Sequence, residues 1–487
     1  MMQERKQSIY SDTGKVLLEF EENPSPIDVF IKCTGLDGLF SLVRDESQRY
    51  AMQNGRVFET NDEELAAFLG VIFVMGINKL PSLKLYWAAD EGLGNALIKN
   101  TMTRQRYMDI LQNLHFGDNT QTLPPKTCPT FDRAWKVRPF LDHLQRHFMS
   151  SLEPEAQQSV DEHMCKFKGR SILRQYMKNK PIKWGFKFWF RCGSKSGYLY
   201  QFDIYTGRKE QTEHGLGESV VLRLCEPLQN SFCQVFFDNF FNSPNLMVEL
   251  LQKGIYATGK VRKNRCNMPN TFVDDKGMKR GDSDCVQSHD IVALKWMNTR
   301  SVILLSNIED PTKITTVERR VKGKPDKARI PCPAIVKSYN ASMGGVDLLD
   351  QMKVYYQLDR KSKFRFYLRI FFDLMDVSVV NSLYIYNKIC KENSQMSLLD
   401  FKFCVARALI GKFSSRQRTA PSSRLSKRSR PESCPVLGHL PEFVDKRVRC
   451  FKCASEGKEQ RTFVRCTTCN IALCLVKDRN CFYEHHA

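Results

Sequence analysis

Three acidic positions and a cysteine-rich tail are where this sequence concentrates residues able to do chemistry. Asp161, after Ser159 and Val160, lies in a short extended segment that begins there, the first strand of a sheet. Asp238 ends the apolar run Cys233 to Phe237, and Asp347 follows Gly344 and Gly345, with Asp350 one turn later. In an open sheet, ligands bind in the crevice outside the strand ends. A carboxylate directly after an apolar strand has little packing reason to be there. Carboxylates gathered at such an edge repel one another unless a cation neutralises them, and hard divalent ions such as Mg²⁺ are the usual partners. Two such ions about 3.5–4 Å apart can activate an attacking oxygen and stabilise the leaving one in phosphodiester cleavage. Each acid also has an ordinary structural use. Asp161 would serve as an exposed turn acid, Asp238 as a helix cap ahead of Pro244, and Asp347 and Asp350 as first-turn acids complementing a helix dipole.

The cysteines divide into two populations. Twelve are scattered through the first 434 residues, whereas six crowd between Cys450 and Cys481. The crowded set contains Cys450-x2-Cys453 and Cys466-x2-Cys469, followed by Cys474 and Cys481. Two intervening residues let both thiolates of a pair bind one tetrahedral Zn²⁺. With His439 and one of His485 and His486, the set offers eight ligands, enough for two Zn²⁺. Which four share each ion stays open. A tail of this size buries little core, so the metal would supply its folding energy. The pairing reads as metal ligation in a reducing compartment, not as a disulfide framework.

Charge narrows the partners. Lys and Arg number 74 against 53 Asp and Glu, a formal net charge of +21. Such an excess attracts polyanions, of which nucleic acid is the commonest, and phosphate neutralisation would dominate the affinity. The N-terminus has no apolar signal stretch. The longest hydrophobic region, Phe364 to Ile389, is interrupted by Arg365, Arg369, Asp373 and Asp376, which makes it a buried helix and not a membrane span. A soluble, intracellular protein with no membrane partner is expected.

The elements that must position these residues follow from periodicity. Residues 1–24 read as a disordered N-terminus, and 25–155 as helical. Asn61 with Glu64 has capping-box spacing, one helix begins near Thr103, and another runs from Asp132 to Phe148. The pattern then switches to a period of two at Trp184-Phe186-Phe188-Phe190 and again at Tyr198-Tyr200-Phe202-Ile204, with a loop at Gly193 to Gly197. A helix, the strand ending at Asp238, a second helix and the strand Tyr256 to Val261 follow. This order predicts an α/β fold with a mixed sheet over 156–262 and 331–351. Residues 263–330 read as a β-rich insertion and 352–413 as a returning helical block. Residues 414–436 read as a basic linker, in which Ser423 to Arg430 suits nuclear import or phosphate contact, and 437–487 as the zinc-binding domain.

Several strings resemble those of the piggyBac transposase family. Ser159-Val160-Asp161-Glu162, with Phe167-Lys168-Gly169-Arg170, resembles the family's first catalytic motif, and Lys180 to Lys187 its next characteristic stretch. Phe237-Asp238-Asn239-Phe240-Phe241 resembles the second aspartate motif, and Tyr339 to Met352 the third. The resemblance covers most of the chain from about residue 25. It implies an RNase H-like core between two halves of a helical dimerisation and DNA-binding domain, and a C-terminal cross-brace zinc domain that recognises transposon ends. It carries catalysis and Mg²⁺ (or Mn²⁺) binding onto Asp161, Asp238 and Asp347, with Asp350 as a further metal-proximal acid. It favours His486 over His485 as the last zinc ligand. The implied activity is cut-and-paste transposition in the nucleus by a homodimer acting on double-stranded DNA, at terminal repeats and a TTAA target. The alternative is a domesticated relative that binds DNA or chromatin without cutting, and the short segment before the folded sequence, where the family has a long acidic tail, favours it.

Overall fold

A computed structural model describes residues 6–486 apart from 91, 121–123, 126–127, 129–130, 179, 208–213, 321–326, 359–364, 392–393, 415–438 and 477. The expected basic linker therefore lies, but for its first residue, outside the described residues. The chain forms two compact units, Met1–Arg416 and Gln417–Ala487, each described by itself.

Helices open the first unit: α1 (Pro26–Thr34), α2 (Leu36–Gln53), α3 (Asp62–Ile77), α4 (Ala96–Thr101), α5 (Arg104–Asn113) and α6 (Arg138–Ser151). Asn61 caps α3 by accepting the Glu64 amide at 2.8 Å. Glu64 does not return the bond. Its carboxylate instead receives Arg106 Nε at 2.7 Å and the Thr60 hydroxyl at 2.7 Å, so the expected capping box is half formed. The helix expected from Asp132 starts only at Arg138, where Pro139 supplies a φ suited to a first turn and needs no hydrogen-bond acceptor for a missing N–H.

The sheet follows. It comprises β1 (Gln157–Lys166), β2 (Arg174–Tyr176), β3 (Trp184–Gly193) and β4 (Leu199–Ile204). After α7 (Leu216–Leu224) come β5 (Gln234–Phe237), α8 (Pro244–Gln252), β6 (Tyr256–Lys260), β7 (Ser283–Ser288), β8 (Ile291–Met297) and β9 (Ser301–Ser306). The nine strands run β2-β3-β1-β5-β6-β9-β8-β7, with β4 sharing an edge of β3. β1, β5 and β6 are parallel neighbours, and every other pairing is antiparallel. The result is a mixed α/β fold. Strands of the expected β-rich insertion prolong the main sheet, because β9 pairs with β6. A two-stranded ribbon, β10 (Ile314–Arg320) with β11 (Lys327–Pro333), forms its own ladder and packs Ile330 and Cys332 against Leu294 and Trp296 of β8.

Four helices close the unit: α9 (Ala334–Ser342), α10 (Gly345–Tyr355), α11 (Phe366–Ile389) and α12 (Leu398–Ile410). α3 and α12 approach so closely that a Cβ on Gly70 would sit 2.7 Å from the Ala406 carbonyl oxygen. One large core joins these helices to Phe186, Phe188, Phe190 and Cys192 on one face of β3. A second core, with Val160, Trp189, Val235 and Phe237, covers the opposite face with α7 and α8. β3 is thus buried on both sides. Its apparent alternation of aromatic and polar residues hides Lys187 and Arg191, which are buried as well.

Residues 6–24 correct the reading of that stretch as disordered. The Ile9 amide donates to Ser231 O at 2.9 Å, Leu17 to Ser151 O at 3.0 Å, and Ala156 back to Ser11 O at 2.8 Å. Backbone pairing of this kind needs no side-chain periodicity, so a pattern search passes over it. Among the described residues, no helix is long and apolar enough to cross a membrane.

In the second unit, β12 (Pro441–Arg449) and β13 (Arg461–Cys466) form an antiparallel ribbon beside α13 (Phe451–Ser455) and α14 (Cys481–His486). Its buried cluster is Leu473 with Cys450, Cys453, Cys474 and Cys481, too small a core to fold on apolar area alone.

Candidate functional site

β1 and β5 are in parallel register with Val160 opposite Phe237, so Asp161 and Asp238 are the next residues along two adjacent strands. Alternation fixes their face. Cys165 lies in the core below α11, and Phe236 packs with Ile335, Val336 and Tyr339 of α9. Asp161 and Asp238 share those faces by the period of two. Asp347 comes in the first turn of α10. That turn is pressed onto the sheet: a Cβ on Gly345 would lie 2.4 Å from Gly193 O and 2.5 Å from Ser159 Oγ.

The electrostatics report the convergence. Burial first, then the negative charges of Glu162 and Asp347, pushes the Asp161 carboxyl up to about 6, against the opposing pull of Lys180. The Tyr339 phenol, buried on α9, is raised by burial and then by the charges of Asp238 and Asp161. One ring therefore senses two of the aspartates, and the third is sensed by Asp161. Lys260 Nζ sits 5.0 Å from the centre of the same ring. The oxygens are not closed into one ligand set. Among the described residues, the groups of ligand atoms lying within 4.8 Å of one another are the two in the C-terminal unit.

Asp350 is placed differently from the other three. Its Oδ1 lies 2.7 Å from Nδ1 of His163, a residue two positions past Asp161 on β1. Behind His163, Asp373 Oδ2 of α11 is 2.8 Å from Nε2 and Lys353 Nζ is 3.1 Å from it. Burial opposes charge on His163, but Asp350 and Asp373 outweigh it and raise the ring above the ordinary imidazole range. Asp350 is held below the usual carboxylate range by His163 and Lys353, in spite of burial. Pattern reading missed His163, Lys353, Tyr339 and Lys260. A signal existed for the first, since a histidine at i+2 from Asp161 shares its face on a strand. Asp373, a charge inside an apolar helical run, was a second signal.

The C-terminal unit brings eight ligand residues into two sets. His439, Cys466, Cys469 and His486 form one, and Cys450, Cys453, Cys474 and Cys481 the other. The sets interleave along the chain. Cys453 Sγ lies 3.9 Å from Cys474 Sγ and 3.6 Å from Cys481 Sγ. A tetrahedron with ligands about 2.3 Å from its centre has edges of about 3.8 Å, so the thiol set has the size of a zinc site. In the mixed set, Cys469 Sγ is 3.1 Å from His439 Nδ1 and 3.4 Å from His486 Nε2. His486 Nδ1 lies 2.8 Å from Phe482 O, which fixes the ring and leaves Nε2 free to ligate. His485 packs edge-on against Phe451 and is in neither set.

A family profile described as "Transposase IS4" matches residues 26–383. The chain is 28% identical to human PiggyBac transposable element-derived protein 2 over 433 residues, 86% of this chain and 71% of that protein. It is 27% identical to human PiggyBac transposable element-derived protein 3 over 92% of this chain and 74% of that one. The chain belongs to the piggyBac family of transposases. Its fold matches a cryo-EM structure of a piggyBac transposase synaptic complex with hairpin DNA, with a TM-score of 0.71, 23% identity, and coverage of 92% of this chain and 95% of that one. The profile spans Asp161, Asp238, Asp347 and Asp350 and stops short of the cysteine sets. The latter rest on their own geometry.

Proposed function

We propose that this piggyBac family member is a DNA transposase whose Asp161, Asp238 and Asp347 hold two Mg²⁺ or Mn²⁺ ions at the strand ends of an RNase H-like core. The observation that carries the reading is the shared field of the aspartates: Asp161 is raised by burial and by Asp347, and Tyr339 by Asp238 and Asp161. Such a set of hard oxygen donors, mutually repelling and partly buried, suits divalent ions of this class. Bound metal would supply an activated oxygen nucleophile and neutralise the leaving oxygen in cleavage and strand transfer. The chain's residues do the rest. The aspartates orient the ions, and Lys180, Lys260 and the general excess of cations draw the phosphate backbone toward them.

The substrate under this reading is double-stranded DNA at terminal inverted repeats, with TTAA as target and a homodimer joining two ends in the nucleus. The related synaptic complex with hairpin DNA supports DNA as the partner. Helices α1–α6 and α11–α12 would form the dimerisation and DNA-binding domain. The two cysteine sets would hold two Zn²⁺ in a cross-brace domain that reads the ends. A plasmid carrying matched terminal repeats tests the proposal. Precise excision by the wild type, abolished by Asp161→Asn, Asp238→Asn or Asp347→Asn, supports it. Binding to the repeats without any cleavage in Mg²⁺ or Mn²⁺ identifies a non-cutting binder instead.

A further inference from the structure

Four charged or polar side chains meet beneath the aspartates, at a junction of β1, α10 and α11. His163, Lys353 and Asp373 have side chains 1%, 3% and 5% exposed, and Asp350 stands at the edge at 35%. Lys353 Nζ is 3.0 Å from Asp373 Oδ1 and 3.6 Å from Asp350 Oδ1. Burying such a set is costly, and apolar residues of the same volume would pack at least as well. The arrangement has a consequence that packing alone does not need. On β1 the period of two puts Asp161 and His163 on one face, and on α10 the spacing i, i+3 puts Asp347 and Asp350 on one face. A strand pair therefore confronts a helix pair. Contact between His163 and Asp350 fixes where Asp347 falls relative to Asp161.

The chemistry of the ring gives this contact a direction. When Nε2 accepts from Lys353, the ring proton is on Nδ1, the ring atom beside Asp350. When Nε2 donates to Asp373, a bare Nδ1 lone pair 2.7 Å from a carboxylate oxygen would be repulsive, so Nδ1 again carries a proton. Both contact atoms are buried, and neither has an in-line hydrogen-bond partner. The contact is thus an oblique ion pair held by its surroundings.

We infer that His163, set by Lys353 and Asp373, is a positioning residue for the metal-binding carboxylates: through Asp350 it fixes the first turn of α10, which carries Asp347. The inference rests on the proposed aspartate–metal site and deepens it. Asparagine and glutamine separate it from a packing role, because the Asn amide overlays the Nδ1 end of histidine and the Gln amide the Nε2 end. The assay is Mn²⁺ binding to the full chain at fixed pH, followed by electron paramagnetic resonance of the free ion, with thermal melting alongside. His163→Gln, which abandons Asp350, is expected to weaken Mn²⁺ binding by about 10–100-fold, the usual effect of losing an outer-shell partner. His163→Asn keeps a polar N–H group beside Asp350 and should stay much closer to wild type, although both variants melt earlier. If His163→Gln fails to fold, Asp373→Asn, which removes the carboxylate behind the ring while keeping its shape, carries the same expected loss. Equal Mn²⁺ affinity in wild type and His163→Gln, or equal losses in the Asn and Gln variants, overturns the positioning role alone. Wild-type protein with no Mn²⁺ binding sensitive to Asp161→Asn overturns the metal site itself, and the positioning role with it.

Discussion

The glycine pair before Asp347 offers a test in which two neighbouring, chemically identical substitutions should behave oppositely. A Cβ on Gly345 meets Gly193 O at 2.4 Å and Ser159 Oγ at 2.5 Å, whereas a Cβ on Gly344 meets nothing within 4 Å. The Ser159 hydroxyl can rotate away, but the Gly193 carbonyl is held in the turn that joins β3 to β4, where it accepts the Gly197 amide at 3.0 Å. A carbon needs roughly 3.3 Å from a carbonyl oxygen, so Gly345→Ala must lift the start of α10 by on the order of 1 Å. Overpacking of this kind costs about 1–3 kcal/mol, offset in part by the preference of alanine for helix, up to about 1 kcal/mol. A net loss near 1–2 kcal/mol should appear in urea unfolding. The functional cost should be larger, because displacing a reacting group by about 1 Å can lower a rate about 100-fold. Metal-dependent cleavage and Mn²⁺ half-saturation should therefore both worsen sharply in Gly345→Ala. Gly344→Ala should match wild type in all three measurements. Indistinguishable behaviour of the two variants would refute the claim that the pressed first turn of α10 sets the position of Asp347.

Metal content of the C-terminal unit should be two Zn²⁺ per chain by native mass spectrometry, falling to one in Cys453→Ser and to one in Cys469→Ser; loss of both ions from either variant would mean that the sets are not independent. Chelation should open residues 439–487 to protease while the first unit stays resistant, because the small core there cannot hold the fold without metal. Asp161 makes a pH prediction for the metal-free protein. Its folded value of about 6 exceeds the ordinary 3.8, so its contribution to stability is full below 3.8 and is lost as pH rises through 6. Relative to wild type, Asp161→Asn should gain stability by up to about 3 kcal/mol between pH 4 and pH 7, and a gap independent of pH in urea unfolding would count against the burial argument. Lys402 Nζ lies 2.7 Å from Asp376 Oδ1, with both side chains buried. Lys402→Met should cost about 3–5 kcal/mol by stranding the carboxylate, and Lys402→Met with Asp376→Leu should recover most of it; additive losses would contradict this.

What the sequence revealed depended on whether a feature leaves a periodic or spaced trace. The mixed sheet and its helices were legible because apolar side chains repeat every two or 3.6 residues. Asp238 could be assigned to a strand end because an apolar run stops beside it, whereas Asp161 lies within β1, one residue past the last that pairs with β5. The cysteine pairs of the C-terminal unit were legible from spacing and the preference for His486 from the family resemblance, but the division of the eight residues into two sets was in neither, since interleaving is a property of the folded ribbon. The path of residues 11–17 along Ser151 to Ala156 is made by backbone groups, which every residue carries. That the strands after β6 continue the main sheet was not legible, because the β6–β9 pairing reaches across more than 40 residues. His163 and Lys353 were hidden for a related reason: each is an unremarkable polar residue until Asp373, some 200 positions from His163, arrives beside them.

The close crossing of α3 and α12 bears on how the chain is made. α3 is buried on nearly every side, and α12 emerges from the ribosome about 320 residues later. At about 5–20 residues per second, that is roughly 15–60 s during which an almost wholly apolar helix has been synthesised but its partner has not. A nascent polypeptide in this condition invites chaperone binding. Translation products that end before Leu398 leave that surface bare, so nonsense truncations upstream of α12 should aggregate rather than persist as shortened, partly working protein.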